Sequence, residues 1–153
     1  MRETLTFDDV LLVPQYSQIQ SRSIIKLDQD IPKAFKSTLP IVSSPMDTVT
    51  ESAMVASLSL AGGIGIVHRY NSIEDQVKIV SDAASQGAKN IGAAVGVSGD
   101  FEKRAEELFD AGANILCIDI AHGHHILMQQ AIKTVRASLG DSVHIMAGNV
   151  ATL

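Results

Sequence analysis

A chain of 153 residues with a hydrophobic fraction of 46% is long and apolar enough for one domain with a real core. Aromatic residues make up only 4% and tryptophan is absent, so core volume must come from Ile, Val, Leu and Ala, which suit buried parallel strands flanked by helices. A net charge of −5 argues against a protein held to nucleic acid by bulk positive charge, and no apolar run is long enough to span a membrane.

The N-terminus carries acid early and no apolar h-region, so no signal peptide is expected. The single cysteine, Cys117, cannot form an internal disulfide, and a reducing, cytoplasmic setting is the default expectation. The first 38 residues stand apart from the rest. Leu5-Thr6-Phe7-Asp8-Asp9-Val10-Leu11-Leu12-Val13-Pro14 reads as an amphipathic lead-in ended by Pro14, and residues 23–27 as one arm of a small hairpin. This segment is expected to act as a capping element across one end of the fold.

From residue 39 onward, short apolar runs alternate with helical patterns. The predicted strands are 39–44, 64–68, 91–96, 115–119 and 144–150, with starts spaced by 24 to 29 residues, the length of one βαβ unit. The predicted helices are 50–61, which carries Met54, Val55, Leu58 and Leu60, and 72–85, 100–111 and 126–138, each with its apolar residues on one face. Ser72 is placed to cap the second helix, with Asp75 three residues on. Gly62-Gly63, Gly87 and Gly112 stand where helices should stop. The alternation means a parallel α/β fold. Periodicity alone ranks an open doubly wound sheet above a closed barrel, because a barrel needs about 250 residues and only four βα units and a fifth strand are present.

Polar residues at the carboxyl ends of these strands are the candidates for chemistry. After the first barrel strand, Ser44 can hydrogen-bond a ligand and Met46 offers a polarisable surface to a flat ring. A turn plus a helix cap from Asp47, Thr48 or Thr50 fits that stretch equally well. Gly62-Gly63-Ile64-Gly65 precedes a strand, whereas a dinucleotide fingerprint follows one, so a Rossmann reading is rejected. His68 and Arg69 lie where a donor or cation would be useful, although Arg69 fits a solvated surface charge as well. Asp119 could accept hydrogen bonds from ribose hydroxyls. His122 and His124 beside it invite a zinc reading, which no cysteine or HExxH helix supports, so no metal is expected. His124 and His125 read better as the start of the next helix. Gly148 allows close backbone approach and Asn149 offers both a donor and an acceptor, with a strand-ending turn as the alternative. Cys117, inside an apolar strand with nothing electropositive beside it, reads as an inert buried thiol.

Five motifs in order, LTFDDVLLVP, SSPMDTVTE, GGIGIVHRY, DIAHGH and AGNV, resemble the IMP dehydrogenase/GMP reductase family across essentially the whole chain. The resemblance reverses the ranking of folds. It implies a TIM (β/α)₈ barrel of which residues 1–153 form the N-terminal half, with 1–38 as the cap and 39–153 as βα units. It places Ser44 and Met46 in a nucleotide site, with Met46 against the purine, and Gly148 and Asn149 near the substrate–cofactor junction. It places Asp119 at the nicotinamide riboside and His68 and Arg69 in the cofactor region. It implies IMP or GMP as ligand, NAD or NADPH as cofactor, and a homo-oligomer, usually a tetramer. In that family a cysteine of a later GxxCxT loop attacks purine C2. The chain ends before such a loop and Cys117 does not match it, so no catalytic residue is assigned.

The motif details divide between the two branches. SSPMDTVTE and FDDVLLVP resemble IMP dehydrogenases. Ser21-Arg22-Ser23, His68-Arg69-Tyr70 and Ile120 within the DIAHGH motif resemble GMP reductases, as does the lack of room for paired CBS modules. The balance tilts to GMP reductase. The alternative is a catalytically inactive half-barrel that serves structure or assembly.

Overall fold

The structure is a computed structural model that describes residues 4–31 and 35–151. An antiparallel hairpin of β1 (Gln29–Ile31) and β2 (Phe35–Ser37) precedes a second sheet. That sheet holds β3 (Val42–Ser43), β4 (Ile64–Val67), β5 (Ile91–Val95), β6 (Ile115–Asp119) and β7 (His144–Gly148). Helices α1 (Ser52–Leu60), α2 (Ile73–Ser85), α3 (Phe101–Asp110) and α4 (Ile126–Leu139) connect them. All five strands are parallel and lie in sequential order. A doubly wound sheet reverses its strand order at a switch point; this one never does, and successive helices pack side by side. The fold is therefore a partial (β/α)₈ barrel.

Strand alternation assigns each side chain to one of two cores. On the outer face, Val67, Ala93, Val95, Leu116 and Ile118 meet Val55, Val80, Leu108, Met128 and Val135 of the helices. On the inner face, Ile64, Ile66, Ala94, Ile115 and Cys117 form a separate cluster with Met146 against it. Two glycines set the close packing. A Cβ on Gly65 would stand 2.7 Å from Val55 Cα, so its absence lets α1 lie directly on β4. A Cβ on Gly92 would stand 2.2 Å from Ile66 Cδ1, so the Ile66 side chain occupies that space on the inner face.

Helix ends follow the sequence. The Ser72 hydroxyl accepts from Asp75 N at 3.0 Å and donates to the Asp75 carboxylate at 2.9 Å. Gly62, Gly87 and Gly112 all take left-handed φ values just past α1, α2 and α3.

The first third departs from the sequence expectation in detail. The antiparallel pairing joins 29–31 to 35–37, while residues 22–24 make a 3-10 turn in which Ser21 Oγ accepts from Ser23 N. A local hydroxyl-closed turn has won over strand propensity there. The lead-in keeps one 3-10 turn, Phe7–Asp9, closed by Thr6 and Asp9. Leu11 and Leu12 are 94% and 98% exposed, so the described residues do not supply the surface that they would cap. The first barrel strand shortens from the expected 39–44 to Val42–Ser43.

Candidate functional site

The carboxyl ends of β3, β6 and β7 border two adjoining clefts. One, of about 350 Å³, opens from the inner face and is lined by Ser44, Ile66, Cys117, Asp119, Met146, Gly148 and Asn149 among others. The second, of about 470 Å³, is lined by Ser44, Met46, Arg69, Tyr70, Asp119, Ile120 and Asn149 among others. Ser44, Pro45, Asp119 and Asn149 are common to both, so they form the ridge between them.

Backbone pairing continues past the ends of β6 and β7 and fixes this ridge. Ile120 N donates to Gly148 O at 2.9 Å, Asn149 N to Ile120 O at 2.7 Å, and Gly123 N to Asn149 O at 2.7 Å. Asn149 Nδ2 also donates to Ile120 O at 3.3 Å, which orients its amide. The loop after β6 is thereby tied to the Gly148-Asn149 turn.

Arg69 reaches across from the end of β4. Its Nη2 donates to Asp119 O at 3.2 Å, and its Nε lies 3.9 Å from Asp119 Oδ2. That Nε–H is buried and has no hydrogen-bond partner. The guanidinium also sits 5.8 Å from the centre of the Tyr70 ring. Arg69 is therefore held in the site and is not a freely solvated surface charge.

His68 behaves differently. It is buried and lines neither cleft. Its Nδ1 accepts from Tyr70 N at 3.3 Å, which leaves Nε2 to carry the proton toward Glu51 Oε1, also at 3.3 Å. In this geometry His68 joins the start of α1 to the loop after β4.

The cap expected from Asp47, Thr48 or Thr50 also takes another form. Glu51 occupies the N-cap of α1 and makes no side-chain cap bond. The fully buried Thr50 hydroxyl instead turns back to the end of β3. His125, as expected, starts α4, and its Nδ1 accepts from Leu127 N at 3.1 Å. Among the described residues, no three His, Cys, Asp or Glu side chains converge as a metal site would require.

Cys117 faces the inner cleft and is buried. Desolvation, with Asp119 nearby, pushes its thiol up to about 11. It stays protonated at neutral pH and is poorly suited to nucleophilic attack.

The site as a whole combines an anionic acceptor (Asp119), hydroxyl and amide groups (Ser44, Asn149), a fixed cation (Arg69) and apolar surface (Met46, Met146, Ile66). This set offers apolar surface to a flat ring and hydrogen-bonding groups of both kinds to polar substituents around it. The sequence reading missed Tyr70, Thr50 and Glu51. Tyr70 closes the GGIGIVHRY motif at a strand's carboxyl end, and that position was the available signal. Nothing in the local pattern announces that Thr50 and Glu51 bond to β3 and to His68.

Comparison with known proteins returns one family and two activities. The family profile for the IMP dehydrogenase / GMP reductase domain matches residues 4–153. The inosine-5'-monophosphate dehydrogenase of Cryptosporidium parvum is 30% identical over 190 residues, covering 97% of this chain and 46% of that protein. The inosine-5'-monophosphate dehydrogenase of Borreliella burgdorferi is 32% identical over 200 residues, covering 99% of this chain and 49% of that protein. The GMP reductase of Vibrio vulnificus strain YJ016 is 33% identical over 156 residues, covering 97% of this chain and 44% of that protein. The chain thus spans a little under half the length of each of these relatives.

Proposed function

The chain belongs to the IMP dehydrogenase/GMP reductase family, and on that premise we propose that its clefts hold a purine nucleotide and a nicotinamide cofactor as part of an oxidoreductase site. Ser44, Met46, Gly148 and Asn149 would hold the nucleotide, with the Met46 thioether against the purine face. Asp119 would accept from ribose hydroxyls of the cofactor, NAD or NADP, and Arg69 would fix the Asp119 carboxylate from behind. The nicotinamide, when bound, supplies the hydride chemistry. What the chain's own residues do is bind and orient. The inner-face aliphatic side chains keep water from beneath the ring, and the β6–β7 backbone lock holds the Asn149 amide in place.

The observation that carries this reading is the convergence of Ser44, Asp119 and Asn149, from three separate strand ends, on the ridge between two clefts. Cys117, with its thiol raised to about 11, does not serve as the nucleophile.

Between the branches, identity does not decide: relatives matched over nearly the whole chain stand at 30%, 32% and 33%, and shorter matches of 44% and 47% are to dehydrogenases. We infer GMP reduction with NADPH as the activity of the site, ahead of IMP oxidation with NAD. What supports it is the set of reductase-like motif details, together with a match of 156 residues to a GMP reductase, close to the chain's own 153, where two dehydrogenases match over 190 and 200.

Calorimetric titration of the purified chain with IMP and with GMP tests the reading. Saturable binding that is lost in Met46→Ala or Asn149→Ala is expected. A folded chain that binds neither nucleotide would leave the structural half-barrel as the better description.

A further inference from the structure

Thr50 is fully buried yet carries a polar group, and it lies outside both clefts. Its Oγ1 is 2.6 Å from Ser44 O and 2.9 Å from Ser43 Oγ. A hydroxyl has one proton to give. Ser44 O can only accept, so the Thr50 proton goes there over the shorter contact and is shared with Ser43 Oγ over the longer one. Both partners stand at the end of β3, at the base of the segment that carries Ser44 to the ridge and Met46 to the second cleft. The same segment folds back on itself, with Val49 N and Thr50 N both donating to Met46 O, at 3.0 and 2.9 Å. The six residues from Ser44 to Val49 therefore form a loop closed at its base by one side chain.

From this we infer that Thr50 is a positioning residue for the nucleotide: its hydroxyl sets the height and angle at which Ser44 and Met46 meet the ligand. This deepens the proposed function and rests on it. Met46 is half exposed and has a flexible side chain, so its backbone anchor decides where the thioether stands. Without the hydroxyl, Ser44 O loses a donor inside the protein and the loop can relax away from β3. The Thr50 methyl group, by contrast, only fills space. The two parts of the side chain can be separated by substitution.

The experiment is calorimetric titration of the chain with IMP and GMP in three variants besides wild type, with thermal melts recorded for each. Thr50→Val keeps the shape and removes the hydroxyl, and it should weaken nucleotide binding about threefold to tenfold, the equivalent of one ordinary hydrogen bond. Thr50→Ser keeps the hydroxyl and should bind within about twofold of wild type. Ser43→Ala removes only the second partner, so it should fall between the two, and it tests the clamp if Thr50→Val does not fold. Binding by Thr50→Val as tight as wild type would overturn the inference and leave the nucleotide site standing. So would a larger loss in Thr50→Ser than in Thr50→Val with unchanged melts, because the methyl would then be the part that matters. A wild-type chain that binds neither nucleotide would overturn the parent reading and this inference with it.

Discussion

Cys117 shows how one position can be judged from its surroundings. A thiol in the middle of an apolar strand is expected to be inert, and its burial on the inner face raises it from an ordinary value of 9.0 to about 11. The sign of the stability effect follows. The folded state holds its proton to higher pH than the unfolded state does, so the contribution is complete below pH 9 and is lost as pH rises toward 11. Alkylation of Cys117 in the folded chain should accordingly be slow at pH 7 and accelerate steeply above pH 9. Fast labelling at pH 7 in a chain with an intact melt would contradict the burial argument. At this scale the position of a residue at a strand end is readable in the sequence, whereas a bond to a partner distant in sequence is not. Ser44, Met46, Asp119, Gly148 and Asn149 all end strands in the pattern and all line the clefts. His68 ends a strand too, but Glu51, seventeen positions away and placed by the turn of α1, claims its ring.

Helices α2, α3 and α4 were legible as elements because each has an apolar stripe, and α1, apolar on all sides, because glycines follow it. Their mutual bonding was not. Gln76 is fully buried in α2, where an apolar residue would be the default. Its Nε2 donates to Ala94 O at 2.9 Å, and Arg104 Nη1 of α3 donates to its Oε1 at 2.7 Å. Arg104 Nη2 goes on to Asn71 O at 3.2 Å. This chain of bonds ties β5, α2, α3 and the loop after β4 together behind Arg69. Arg104→Met should cost about 1–3 kcal/mol, since Gln76 Oε1 and Asn71 O lose a buried donor. Arg104→Lys should recover only part of that, because a single ammonium cannot reproduce the two-armed guanidinium. Urea denaturation midpoints measure both. A midpoint for Arg104→Met equal to wild type would show that water replaces the bonds without loss. The short β3 and the displaced hairpin were unreadable for a related reason. Local turn bonds, such as Ser21 to Ser23, compete with strand pairing at energies too close for a pattern to rank.

Across the whole molecule, strand order decided between two architectures that periodicity could not separate. Sequential parallel order makes a barrel segment, and among the described residues β3 and β7 stand at the two edges of its sheet. Ile41 and Val42 at one edge are about half exposed, every residue of β7 is only partly buried, and the lead-in presents Leu11 and Leu12 to solvent. Free edges and uncovered apolar surface drive association. Light scattering on the purified chain should give a mass above that of one chain, rising with concentration. A concentration-independent monomer would contradict this. The central claim, however, concerns where a nucleotide sits. Met46 and Met146 line the clefts at the strand ends, Met54 lines a separate cleft beside α1, and Met128 is buried under α4. The methyl NMR spectrum of the methionine-labelled chain, titrated with GMP, therefore reads the location directly. The Met46 and Met146 signals should shift together and saturate while Met54 and Met128 stay in place. Shifts at Met54 with Met46 unmoved would put the nucleotide elsewhere and contradict the assignment of the site.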